Sequence, residues 1–327
     1  MIEDKIKIEI KGVSGKLATE IGTAISELIT WLNVNIKDID LRRMHHIIVT
    51  SDFSGELAEL SKRTASGNSI TYTNEEYAVA VAKVMILPRG EEYEIILIIN
   101  ANIASALVTE NPEGYQSDIF KRAVHFVHHE LSHVHDINKK YDASNKLIFK
   151  YHYRGKDRLI RPLADNCWSE YIADYLSAST ANDYWLKEMT NSLSDSIEWT
   201  KVHVDKEIIE YHFHGDLIRL MDEFHRHGYY LIKIAANILG FMDGLDKRLI
   251  ELSTKAYDNL CDSYFEPIWN AMQTALWNMH RLYPEGWKDL SIYDSLANVI
   301  ECYYSCMGLI LSENENGEIY VTLKSIP

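Results

Sequence analysis

Residues that would mark several common protein classes are scarce in this chain. It has four cysteines in 327 residues, Cys167, Cys261, Cys302 and Cys306. They are few for this length and lack the paired spacing of a zinc ribbon, so the chain is expected to be a soluble protein of the reducing cytoplasm. Lys and Arg number 33 against 48 Asp and Glu, a net charge of −15. Binding a phosphate backbone needs a broad excess of basic residues, so nucleic acid is not expected as a partner, and the acidity is read as serving solubility. No stretch approaches the roughly 18 consecutive apolar residues of a membrane span, so no membrane association is expected. The first ten residues alternate charge with isoleucine and lack the apolar core of a signal peptide; they read as a strand.

What is present suggests two lobes with different patterns. The chain is long enough to bury a substantial core. In residues 1–140, strand-like and helix-like periods alternate, which predicts a mixed α/β lobe. Strands are expected over Ile6–Lys11, His46–Thr50, Tyr77–Leu87 and Tyr93–Asn100, with the last two joined as a hairpin at Pro88-Arg89-Gly90-Glu91. Helices are expected over Lys16–Leu32 and Ser54–Arg63, the second capped by Ser51 or Asp52. In residues 141–327, helical periodicity runs almost unbroken from Ala164 to about Arg281, with breaks expected at Asn182-Asp183, Gly215, Gly228 and Gly240 or Gly244. Two strand-like runs around Asn316-Gly317 predict a closing hairpin. The expected class is α+β, a mixed sheet with a motif helix followed by a mainly helical lobe.

Chemistry concentrates on the motif helix, expected from Ser117 to Ile137 with Ser117 or Asp118 as its cap. It contains His129-Glu130-Leu131-Ser132-His133. Residues i and i+4 share a helical face, so both imidazoles can reach one metal ion at about 2.0–2.1 Å, with the Glu130 carboxylate beside an open coordination position. At 100° per residue, Phe126, Val127, Leu131 and Val134 fall on a packing face, and His125, His129, His133 and Asp136 on a face expected to border a cleft. His125 is placed beside the site, with His128 and His135 as flanking polar contacts. The competing reading is a histidine-rich amphipathic helix that binds no metal.

A catalytic zinc needs a third protein donor. Glu170, in the helical stretch Cys167-Trp168-Ser169-Glu170-Tyr171-Ile172-Ala173-Asp174, is the best candidate, with Asp174 one turn on to accept a ligand histidine's free N–H. HExxH followed on a later helix by ExxxD resembles the gluzincin metallopeptidases, over about residues 78–180. That resemblance implies that His129, His133 and Glu170 bind one Zn²⁺, that Glu130 is general base and that Asp174 supports His129. It also implies a zincin-like sheet whose edge strand ends in a substrate-binding pair, here Asn100-Ala101; on residue type alone, Asn100 is as readily a strand-terminating cap.

The implied activity is zinc-dependent peptide-bond hydrolysis of a peptide or protein substrate. It requires a second donor for the tetrahedral oxygen, for which His212, His214, His225, His227 and Tyr230 form the candidate group. The alternative is a peptidase-like fold without catalysis that serves as a regulatory or partner-binding module. Two smaller features complete the reading. Cys302 and Cys306 are expected to be buried thiols, and Cys167 is a marginal candidate to approach the metal. Between Asn138 and Pro162, eight basic residues (Lys139, Lys140, Lys146, Lys150, Arg154, Lys156, Arg158 and Arg161) face two acids, Asp142 and Asp157. That segment is expected to be a solvated connection or to attract an anionic partner.

Overall fold

The computed structural model describes residues 6–36, 39–63, 74–75, 78–79, 81–89, 92–144 and 152–324. Met1–Lys5, part of the Tyr77 strand, the Gly90-Glu91 turn, Lys146 and Lys150 lie outside the described residues. The fold is α+β and divides into two compact units: Met1–Asn138 with Thr180–Asn182, and Lys139–Ser179 with Asp183–Pro327.

The first unit opens with β1 (Lys7–Lys11), α1 (Gly15–Asn35), β2 (Met44–Thr50) and α2 (Phe53–Ser61). Two short pieces, β3 (Asn74–Glu75) and β4 (Ala78–Val79), precede β5 (Ala82–Arg89) and β6 (Glu92–Asn100). Then come α3 (Ala101–Ser105) and α4 (Asp118–Ala143), whose last residues, from Lys139, belong to the second unit. The main sheet has the order β1-β2-β6-β5, with β1, β2 and β6 parallel and β5 antiparallel to β6 as a hairpin. β6 is a nearly continuous β-branched and Leu run because both its faces are buried, as inner parallel strands require. Ile48, Ile96 and Ile98 pack with Phe53, Leu57 and Leu60 of α2 on one side, while Ile47, Val49, Leu97 and Ile99 are buried on the alternate side. α1 turns Ile21, Ile25, Ile29 and Leu32 inward at helical spacing. Of the two expected caps for α2, Asp52 is the one used: its carboxylate accepts the Gly55 N–H at 2.9 Å.

The resemblance implied that the Asn100-Ala101 strand is an edge strand; this is corrected. β6 is flanked by β2 and β5, so both rows of its backbone groups are paired and the edges belong to β1 and β5. Asn100 is a cap: its side chain accepts the Asn102 N–H at 2.9 Å, and Ala101 is buried as the first residue of α3.

The second unit continues with α5 (Asp157–Ser177), α6 (Asp183–His214), α7 (Leu217–Leu245), α8 (Leu249–Leu252), α9 (Thr254–Cys261), α10 (Glu266–Leu282) and α11 (Asp294–Cys306). It ends in the antiparallel hairpin β7 (Leu309–Glu313) and β8 (Ile319–Leu323), turned at Gly317, whose φ is +78°. Helix breaks fall at 178–182 and at Gly215 (φ +68°), as the sequence predicts. Of the further breaks, the one at Gly244 is found, since α7 ends at Leu245, whereas Gly228 and Gly240 lie inside α7. A Cβ on Gly240 would lie 2.3 Å from the Tyr171 carbonyl oxygen, and one on Gly244 2.5 Å from that of Tyr175. These two glycines let α7 lie directly against the backbone of α5, so the role of Gly240 is close approach and not termination.

One further expectation is corrected here. Cys302 and Cys306 are exposed, because α11 buries Leu296, Ile300, Tyr303 and Tyr304 and leaves the cysteines outside that face. Of the basic segment, these residues are paired: Lys140 is buried against Asp165 at 2.9 Å, Lys156 pairs with Glu301 at 2.6 Å, and Arg161 with Asp157 and Asp294. Among the described residues, no helix is long and apolar enough to cross a membrane.

Candidate metal centre

α4 forms because its stretch is free of Gly and Pro and is capped: Ser117 Oγ accepts the Phe120 N–H at 3.2 Å. The helix is fixed near its far end by polar bonds to the segment before β2. His135 Nδ1 accepts the Asp40 N–H at 2.9 Å, and the Asn138 amide donates to the Asp40 carbonyl at 2.8 Å. Its register presents His129 and His133 together, with Nε2 atoms 3.0 Å apart and rings nearly perpendicular at 89°. Both rings and Glu130 are half-buried.

The rest of the expected cleft face is not open. His125 and Asp136 are fully buried, and Phe126, expected in the core, is only half-buried with the Arg122 guanidinium over its ring. Nδ1 of His125 and Nδ1 of His128 approach the Thr180 hydroxyl at 3.3 and 3.0 Å. Burial, with a smaller contribution from the nearby His129, pushes the His128 pKa down to about 4. These histidines are therefore structural members of the helix, and the 129/133 pair is the part offered for chemistry.

In the second unit, Glu170 and Asp174 stand one turn apart on α5 and are met by α7. The Lys233 ammonium lies 2.9 Å from Glu170 Oε1. The Asn237 amide nitrogen donates to Glu170 Oε2 at 2.9 Å and to Asp174 Oδ2 at 2.5 Å. Two acceptor-only carboxylates fix which end of that amide faces them. Asn237 is one helical turn from Gly240, so the close helix approach allowed by the glycine brings the amide into range. Cys167, weighed as a metal neighbour, is fully buried with its sulfur 4.0 Å from the Ile232 carbonyl, and burial pushes its thiol pKa up.

Most of the candidate oxyanion donors have other duties. His212 and His214 are exposed at the end of α6, where His214 Nδ1 accepts the Asp216 N–H. His225 hydrogen-bonds the Tyr304 hydroxyl, and His227 packs edge-on to Trp199 with Nε2 3.2 Å from Glu223. Tyr230 differs: it is spaced three and seven residues before Lys233 and Asn237, on the face of α7 that holds Glu170. Burial raises its hydroxyl pKa, opposed by a hydrogen bond to Ser192 and by the charge of Lys233. Lys233 and Asn237 were missed by sequence reasoning. Their i, i+4 spacing was the available signal, and it acquires meaning only once α5 and α7 are known to pack.

His129 and His133 in the first unit and Glu170 in the second are, among the described residues, the His and acid side chains that could each offer one ligand atom to a metal ion. No model of a known protein family matches the chain, and neither the curated proteins nor the solved structures include a match.

Proposed function

We propose that the chain is a zinc-dependent metallopeptidase in which His129, His133 and Glu170 hold one Zn²⁺. The observation that carries this reading is the His129/His133 pair, one turn apart on α4 with Nε2 atoms 3.0 Å apart, with Glu170 as the carboxylate able to complete the donor set. The donor set suits the ion. Two imidazoles and a carboxylate leave a fourth position open, as catalytic zinc requires. The His129 and His133 Nε2 atoms, 3.0 Å apart, are close enough for one ion to be shared between them.

When bound, zinc would polarise the scissile carbonyl and lower the pKa of water at the open position. Glu130, next to His129 in the helix, takes a proton from the attacking water on its carboxylate and returns it to the leaving amine nitrogen. Asp174 is assigned the free ring N–H of His129, fixing the tautomer that leaves Nε2 for the metal. Asn237 holds the Glu170 and Asp174 carboxylates at fixed separation. Tyr230 is the candidate donor to the tetrahedral oxygen, because of the five candidates it shares a helix face with the residues that hold Glu170.

The test is metal analysis of never-chelated protein together with cleavage of a peptide library by wild type, Glu130→Gln and His133→Ala. The expected result is one zinc per chain in wild type and in Glu130→Gln, a loss of activity of about 10²–10⁴-fold in Glu130→Gln, and loss of the metal in His133→Ala. Full activity in Glu130→Gln removes the proposed base, and absence of zinc uptake by folded wild type removes the centre.

A further inference from the structure

Glu170 meets a cation that the chain itself supplies. Its side chain is 16% exposed and that of Lys233 30%, with 2.9 Å between Oε1 and Nζ. The two carboxylate oxygens have different partners: Oε1 faces an ammonium, and Oε2 accepts from the neutral Asn237 amide, which also bridges to Asp174. A largely buried carboxylate is costly unless it is paired, and two of them one turn apart repel. Lys233 supplies the positive charge and Asn237 supplies the geometry.

On the reading that Glu170 is a metal ligand, we propose that Lys233 is its built-in counter-ion, and that competition between this ammonium and the incoming divalent ion sets how tightly the centre holds zinc. A divalent cation arriving at Glu170 enters the field of a positive charge already in contact with the same carboxylate, so its binding is weaker than the donor set alone would give. Because Asn237 grips Oε2 independently, Glu170 keeps its position when the ammonium is removed. Lys233 is thus a positioning residue acting through Glu170. Its effect is a metal site that loads and unloads reversibly.

The experiment measures zinc affinity by competition with a chromophoric chelator, and zinc-induced thermal stabilisation, for wild type, Lys233→Met and Lys233→Arg. The expected result is zinc binding at least about tenfold tighter in Lys233→Met, with a larger zinc-induced rise in Tm, and near-wild-type affinity in Lys233→Arg, which keeps the charge. Should Lys233→Met not fold, Lys233→Gln, which removes the charge but keeps a donor to Oε1, is expected to tighten zinc binding in the same direction. If Lys233 merely ties α7 to α5, its neutral variants lose stability equally with and without zinc and their Kd is unchanged; that result overturns the counter-ion role while leaving the metal centre standing. Folded wild type that takes up no zinc at all overturns the metal reading instead.

Discussion

His129 and His133 converge because they sit one turn apart on a single capped helix, whereas Glu170 and Asp174 are held by Lys233 and Asn237 from a different helix more than sixty residues along the chain. The first arrangement is local: any sequence that keeps α4 helical keeps the pair. The second is tertiary, and it depends on how closely two helix backbones can approach. Damage to the two halves should therefore look different. Changes outside the motif ought to spare the histidine pair, yet reach the acids through the α5–α7 contact.

The strongest way to break this comparison is Gly240→Ala. Its Cβ would come within 2.3 Å of a backbone oxygen that cannot move aside and 3.1 Å of the Asp174 Cβ. The expected cost is about 1–3 kcal/mol or more in urea unfolding, outweighing the roughly 1 kcal/mol gain in helix propensity. The same substitution at Gly22 in α1, where an added Cβ meets nothing within 4 Å, should instead stabilise by about 0.5–1 kcal/mol. Loss of zinc affinity is expected with the first change and not with the second. Equal effects at the two positions would show that the helix approach at Gly240 carries no strain.

A gentler probe is Asn237→Leu, which removes the amide shared by two carboxylates. Leaving buried acceptors without that donor should cost about 1–3 kcal/mol, and metal affinity should weaken because Glu170 loses its orientation. Unchanged zinc binding in this variant would mean that Asn237 does not position the acid half.

Smallest is a pH effect carried by two buried histidines of the helical unit. Burial lowers the pKa of His225 and of His280, opposed by Asp222 at His225 and by Asp243 at His280. The folded pKa values lie below the unfolded value of about 6.5, so the unfolded chain binds more protons. The stability these histidines contribute is complete above about pH 6.5 and declines as pH falls toward their folded values. Urea midpoints measured from pH 8 to pH 5 should fall across this window, and His225→Phe should flatten the slope. An unaltered slope would show that His225 charges as readily folded as unfolded.

Legibility in the sequence followed the same divide. The i, i+4 spacing of His129/His133 and of Glu170/Asp174 could be read directly, because helical periodicity is a property of neighbouring residues. The β5–β6 hairpin, the choice of Ser51 or Asp52 as the α2 cap and the break at Gly215 were equally local. Lys233 and Asn237 were not legible, since nothing in α7 states which helix it packs against. Gly240 was misread for the same reason: as an isolated residue it suggests a helix end, and only the proximity of Tyr171 reveals it as a contact point. The edge position expected of the strand that ends in Asn100-Ala101 failed differently. A β-branched run ending in Asn looks the same on an inner strand as on an edge, and strand order decides which it is.

That strand order has a consequence for self-association. β6, the most apolar strand, is enclosed on both sides, while among the described residues the two edges of the sheet fall to β1, which carries Lys7, Glu9 and Lys11, and to β5, where Pro88 removes a donor and Lys83 and Arg89 add charge. A second copy attempting to extend the sheet from either side would meet a charged border, the kind that keeps a β-rich segment from templating aggregates.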